Sequence, residues 1–133
     1  MKVIIDTHCW LWLCVSPERI SESVLERLSD KGTLRLLSSA SVWEIAIKYQ
    51  LGKLPLPVHP RDFVPTRLET TQTEMLSISG LHALRTADLP QHHRDPFDRM
   101  IIAQALVEGV PVVTVDPHFN LYDVELLPVG AKK

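Results

Sequence analysis

The feature that most constrains this chain is a pair of short β-branched runs, Val3-Ile4-Ile5 near the amino terminus and Val110-Pro-Val-Val-Thr-Val115 far along, each closed by an aspartate. Runs of this kind read as buried strands. Between and around them the pattern alternates. An apolar segment from Thr7 with Trp10, Leu11 and Leu13 suggests a helix broken at Ser16-Pro17, and Ser21 can cap a second with Val24, Leu25 and Leu28, stopped at Gly32. Residues 33–37 read as a strand. The serines from Ser38 to Ser41 then supply caps for an amphipathic helix carrying Val42, Ile45, Ala46 and Tyr49, which Gly52 ends.

A proline-rich connector runs from Leu54 to Pro60, and residues 61–71 read as partly helical because Pro65 interrupts them. A short strand is expected at 75–78 and a short helix at 80–86. Asp95-Pro96 opens the next helix, Gly109 stops it, and a last strand falls at about 124–127. Strands alternating with helices predict an α/β fold, a central parallel β-sheet flanked by helices on both faces. Such sheets bind ligands beyond the carboxyl ends of their strands.

Four acids stand at those junctions: Asp6 and Asp116 after the two β-branched runs, Glu44 and Asp98 near helix starts. Crowded carboxylates repel, and a divalent cation is the usual reason for gathering several in one cleft. The chemistry implied is metal-assisted hydrolysis. Each acid also has a plainer use. Asp6 can begin a turn with Thr7, Asp116-Pro117 can be an ordinary turn, and Ser41-x-x-Glu44 matches a capping box. Asp95 fits the helix cap, which leaves Asp98 for the metal, although the two could exchange parts.

The bulk properties bound the rest. With 133 residues the chain is expected to form one domain over 1–133. It has no apolar run of the ~18 residues that span a bilayer, and Asp6 interrupts the first apolar stretch, so neither membrane nor secretion signal is expected and the address is cytoplasmic. Cys9 and Cys14 lie five apart on one helix and read as small buried hydrophobes. A net charge of −2 counts against a broad basic face for nucleic acid, unless bound ions mask the acids.

The segments Val3-Ile-Ile-Asp6-Thr7, Ser41-Val-Trp-Glu44-Ile-Ala-Ile-Lys48, His93-Arg-Asp-Pro-Phe-Asp98-Arg-Met-Ile-Ile-Ala103 and Val112-Val-Thr-Val-Asp116 resemble the PIN-domain ribonucleases, in particular VapC-type toxins of prokaryotic toxin–antitoxin modules. The resemblance covers essentially the whole chain, and its Trp-Glu-Ile-Ala-Ile-Lys and Arg-Asp-Pro-Phe-Asp-Arg stretches are the most specific. It implies that Asp6, Glu44, Asp98 and Asp116 form an acidic quartet binding Mg²⁺ or Mn²⁺, with Thr7 and Thr114 flanking it. Asp116 is the acid whose role varies in the family between direct coordination and outer support. The resemblance also implies an RNA substrate, a homodimer, a cognate antitoxin whose tail occludes the cleft, and DNA contact only through that antitoxin.

Hard oxygen ligands without soft donors suit Mg²⁺ or Mn²⁺, water is the expected nucleophile, and the products are 5′-phosphate and 3′-hydroxyl ends. Lys48, Arg94 and Arg99 lie beside the acids and either bind RNA backbone or pair with carboxylates. His92 and His93 precede the Asp98 helix as substrate contacts or plain loop residues. His8, His59, His82 and His118 show no His-x-x-x-His spacing, and Trp10, Trp12 and Trp43 read as core. Two rivals stand beside the nuclease: a non-catalytic interaction protein whose nuclease-like cleft receives a peptide or RNA, and a haloacid-dehalogenase-like phosphatase with Asp6 as nucleophile. The latter wants an acid two residues on, where His8 stands.

Overall fold

Successive side chains of a strand point to opposite faces, so a run such as Val3-Ile4-Ile5 can only be satisfied by apolar layers on both sides. The computed structural model, which describes residues 1–128, builds those layers. Five parallel strands, β1 (Lys2–Ile5), β2 (Leu34–Ser38), β3 (Thr73–Leu76), β4 (Val112–Thr114) and β5 (Leu126–Pro128), stand in the order β3-β2-β1-β4-β5. Val3, Ile5, Leu37, Val113 and Leu127 face one apolar layer, and their neighbours Ile4, Leu36 and Val112 face the other.

The first layer is closed by α1 (Thr7–Val15), α2 (Glu22–Ser29), α3 (Ser39–Gln50) and α4 (Pro60–Thr70), through Trp10, Leu28, Ile45 and Phe63. The second is closed chiefly by α6 (Pro96–Glu108), through Ile101, Ile102 and Ala105, with Phe119 and Tyr122 beside them. Each such fully buried aliphatic or aromatic side chain contributes about 1.5–3 kcal/mol by leaving water. A short helix α5 (Gly80–Arg85) and three 3₁₀ turns complete the described residues.

The strand order carries the functional consequence. From the central β1 the chain moves outward to β2 and β3, then returns to place β4 against the other side of β1. Neighbouring strands whose connections leave in opposite directions open a crevice at their carboxyl ends. Asp6 follows β1 and Asp116 follows β4, so both acids border that crevice.

Three expectations shift. The third strand begins two residues earlier than expected, at Thr73, because it is an edge strand whose register comes from pairing with β2 rather than from its own polar, partly exposed pattern. The fourth and fifth strands are shorter than or displaced from their apolar runs, at Val112–Thr114 and Leu126–Pro128. Residues 60–70 are helical despite Pro65, since Pro60 opens the helix, the His59 ring caps it, and Pro65 forfeits one main-chain donor. The expected span of one unit, 1–133, runs past the described residues. Among them no helix is long and apolar enough to cross a membrane.

Candidate active site

The four acids reach the crevice from four different elements. Asp6 caps α1, its Oδ1 accepting from the Cys9 backbone N–H at 2.8 Å, while its other oxygen accepts from the Thr114 hydroxyl at the end of β4. It is buried, and that burial pushes its carboxyl up from the ordinary range against the pull of those hydrogen bonds. Thr114 has a second use: its oxygen accepts from the Asp116 backbone N–H at 3.0 Å, which ties the Asp116 turn to the Asp6 carboxylate.

Glu44 lies on the inward face of α3 with Ala40, Ser41 and Ile45, the i, i+1, i+4, i+5 set that a helix turns to one side. The capping-box alternative does not hold. The helix is capped by Ser38, whose hydroxyl accepts from Ala40 N–H, so Ser41 is already inside the first turn and Glu44 points into the protein. The Thr7 hydroxyl donates to Glu44 Oε1 at 2.7 Å and lies 2.8 Å from Ser41 Oγ. Lys48, one turn further along α3, pairs with the other Glu44 oxygen. Burial lowers the Lys48 ammonium, but the charges of Glu44, Asp95 and Asp98 outweigh it and leave the group raised.

Asp95 caps α6 through its Oδ1, which accepts from Phe97 N–H at 2.8 Å and Asp98 N–H at 3.3 Å. Asp98 is therefore free to face the crevice, where its Oδ2 stands 2.8 Å from His93 Nε2. Burial, then the like charges of Asp95 and Glu44, push its carboxyl up to about 7 against the opposing pull of His93. Asp116 behaves in the opposite sense. Burial raises it, but hydrogen bonds from the His118 backbone and ring, with the charges of His118 and His93, leave it lowered.

These contacts form a chain across the crevice. Thr114 joins Asp6 to the Asp116 turn, His93 joins Asp116 to Asp98 at 3.3 and 2.8 Å, the field of Glu44 reaches Asp98, and Thr7, the residue after Asp6, holds Glu44. Hydroxyl and imidazole donors bridge its carboxylates except between Glu44 and Asp98, which act on each other through charge alone. A hollow of about 270 Å³ opens beside Glu44 and is lined by Thr7, His8, Lys48 and Lys53 among others. A second hollow, of about 380 Å³, adjoins His93 and includes Arg94.

Several residues fall outside the expected roles. Arg99 spends its guanidinium on the backbone carbonyls of Thr86 and Pro90, at 2.9 and 2.8 Å, and so clamps the loop before α6. Trp43 is not core: it is 62 % exposed, edge-on to Phe97 with ring centroids 5.4 Å apart. Trp10 is buried as expected, and Trp12 lies under the Arg19 guanidinium. His82 is committed to capping α5 and to Glu108. Sequence reasoning missed Ser41, whose inward position needed the true helix start, and His118, whose partner His93 is 25 positions away and visible only once the chain is folded.

The PIN domain family model matches residues 3–125. Ribonuclease VapC16 from Mycobacterium tuberculosis is 51% identical over 47 residues, a stretch that is 35% of this chain and 33% of that relative. Among solved structures, VapBC2 from Rickettsia felis, bound to a DNA fragment from its promoter, superposes with a TM-score of 0.75 at 16% identity, over 96% of this chain and 98% of that one. DNA-bound VapBC from Salmonella typhimurium gives 0.71 at 21% identity, over 98% and 99%. At such identities the structural likeness concerns the fold.

Proposed function

The chain belongs to the PIN domain family, and on that premise we propose that it is a metal-dependent ribonuclease, the toxin of a VapBC-type toxin–antitoxin pair acting in the cytoplasm. The observation that carries the reading is the chain of contacts along which Asp6, Glu44, Asp98 and Asp116 meet at one crevice. Two of these carboxyls, Asp6 and Asp98, are held above the ordinary range by burial, and Asp98 also by its acidic neighbours. A cation relieves that frustration, and an all-oxygen donor set suits Mg²⁺ or Mn²⁺.

Asp6, Glu44 and Asp98 would hold the ion, with Asp116 as a direct or outer ligand. When bound, the ion activates water and steadies charge on the scissile phosphate. Thr7 and Thr114 orient the carboxylates of Glu44 and Asp6, and Lys48 balances Glu44. Lys48 and Lys53 on one side and Arg94 on the other offer cations to the phosphates of a single strand crossing the acids. The expected products carry 5′-phosphate and 3′-hydroxyl ends. The partners proposed are RNA, a second copy of the chain, and an antitoxin through which alone DNA is contacted.

The test is Mn²⁺ titration calorimetry on wild type and Asp98→Asn, with both proteins assayed on single-stranded RNA. Binding and cleavage lost together support the reading. Metal binding without cleavage by partner-free wild type would favour a non-catalytic interaction protein, and 2′,3′-cyclic phosphate ends would sink the hydrolytic mechanism.

A further inference from the structure

Two imidazoles converge on one edge of the acidic crevice from separate elements. His93 lies in the loop before α6 and His118 in the 3₁₀ turn after β4, and their rings stack with centroids 4.6 Å apart and planes 22° from parallel. Stacked rings can share an ion only if their ligating nitrogens lie along the same edge. Here they do: His93 Nε2 is 3.3 Å from Asp116 Oδ2, and His118 Nδ1 is 2.9 Å from Asp116 Oδ1. The three ligand atoms all fall within 4.8 Å of one another.

The supports of these side chains are built in. The His93 backbone N–H donates to the Tyr122 hydroxyl at 2.8 Å, and that hydroxyl donates to the Pro90 carbonyl at 3.1 Å, so the loop is tied to the fold. Asp116 is anchored by Thr114 and itself accepts from the His118 backbone N–H at 2.9 Å. In the metal-free protein His93 Nε2 donates to the neighbouring carboxylates, 2.8 Å from Asp98 Oδ2 and 3.3 Å from Asp116 Oδ2, and an ion bound there would displace that proton.

We infer that His93, His118 and Asp116 form a site for a first-row transition metal of the Zn²⁺ class at the open edge of the crevice. Ligand atoms about 2.0 Å from a tetrahedral ion stand roughly 3.3 Å apart, the separation already present between His93 and Asp116. Two imidazole nitrogens select Zn²⁺, Co²⁺ or Ni²⁺ over Mg²⁺, which prefers six oxygens. The fourth position falls to water or to Asp98, whose Oδ2 is 2.8 Å from His93 Nε2. The assignment shares Asp116 with the proposed nuclease site but does not depend on that site's activity.

The experiment is calorimetric titration of untagged protein with Zn²⁺, and Co²⁺ absorption as a readout of coordination geometry, on wild type, His118→Ala, His118→Cys and Asp6→Asn. His118 is on an exposed turn, so its variants should fold. Expected results are one Zn²⁺ bound by wild type with tetrahedral Co²⁺ bands, at least tenfold weaker binding by His118→Ala, recovery in His118→Cys because a thiolate also ligates zinc, and affinity retained in Asp6→Asn. No Zn²⁺ binding by wild type, equal affinity in His118→Ala, or loss in Asp6→Asn would overturn the assignment. Failure of the nuclease reading would show separately, as absent Mn²⁺-dependent RNA cleavage with the Zn²⁺ result intact.

Discussion

The two halves of the acidic crevice are built on different principles. Asp6 and Glu44 are 4 % and 2 % exposed and are held by the neutral hydroxyls of Thr114 and Thr7, with Lys48 paired to the second Glu44 oxygen. Asp98 and Asp116 lie nearer solvent, with side chains 18 % and 30 % exposed, and are held by imidazoles. A hydroxyl fixes a carboxylate without cancelling its charge, so Asp6 keeps its appetite for a cation, and with Lys48 balancing only Glu44 the inner pair retains a net negative charge. An imidazole can carry a proton or a metal, so the outer pair is adjustable. The inner half is therefore expected to dominate catalysis, and the outer half to respond to conditions.

The largest effect should separate Asp6→Asn from Asp116→Asn. Removing the inner charge is expected to cut Mn²⁺-dependent RNA cleavage on the order of 10³-fold, and removing the outer one about tenfold. Steady-state cleavage of one single-stranded RNA by the two variants measures it. Equal losses would abolish the distinction between the halves.

A smaller effect tests the scaffolding. Thr114→Val leaves a buried Asp6 oxygen without its donor, which should cost about 1–3 kcal/mol of stability and roughly 10–100-fold in activity. His118→Ala, on the open side, should change stability by no more than about 0.5 kcal/mol. Denaturant unfolding of both variants gives the comparison, and a larger loss in the histidine variant would reverse it.

How much of this could be read before folding depends on the range of the interaction. Asp6 and Asp116 were legible as acids closing β-branched runs, and the division of labour between Asp95 and Asp98 was legible from Pro96 between them, because caps and strand ends are local. The orientation of Glu44 was not. Three candidate caps, Ser38, Ser39 and Ser41, left the helix start open, and choosing Ser41 would have turned Glu44 back to the backbone. Trp43 misled for a related reason: it neighbours an apolar face but sits about 100° around the helix from Glu44, on the outer side. The meeting of His93 with His118 depends on β4 returning beside β1, which no local pattern encodes.

The last comparison is within the outer pair itself, since Asp98 and Asp116 are shifted in opposite directions. For Asp98, pushed up to about 7 chiefly by burial and by Asp95 and Glu44, the folded protein binds a proton more tightly than the unfolded chain does. Its contribution to stability is thus fully present below the ordinary carboxylate range and is lost as pH rises toward 7. Asp6, also raised by burial, acts with the same sign. Asp116 is lowered, so its contribution is present above the ordinary range and is lost only as pH falls through its depressed value. Metal-free protein should therefore melt at lower temperature as pH is raised from about 5 to about 8. Asp98→Asn should flatten that slope, and Asp116→Asn should leave it in place. Mn²⁺ should flatten it too, because the ion takes over the role of the proton as counter-charge to the crowded carboxylates. Thermal melts across that pH range, with and without Mn²⁺, decide the point: a melting temperature that rises with pH in metal-free wild type would mean that His93 compensates the outer pair, and the adjustable half would then be the more strongly neutralised of the two.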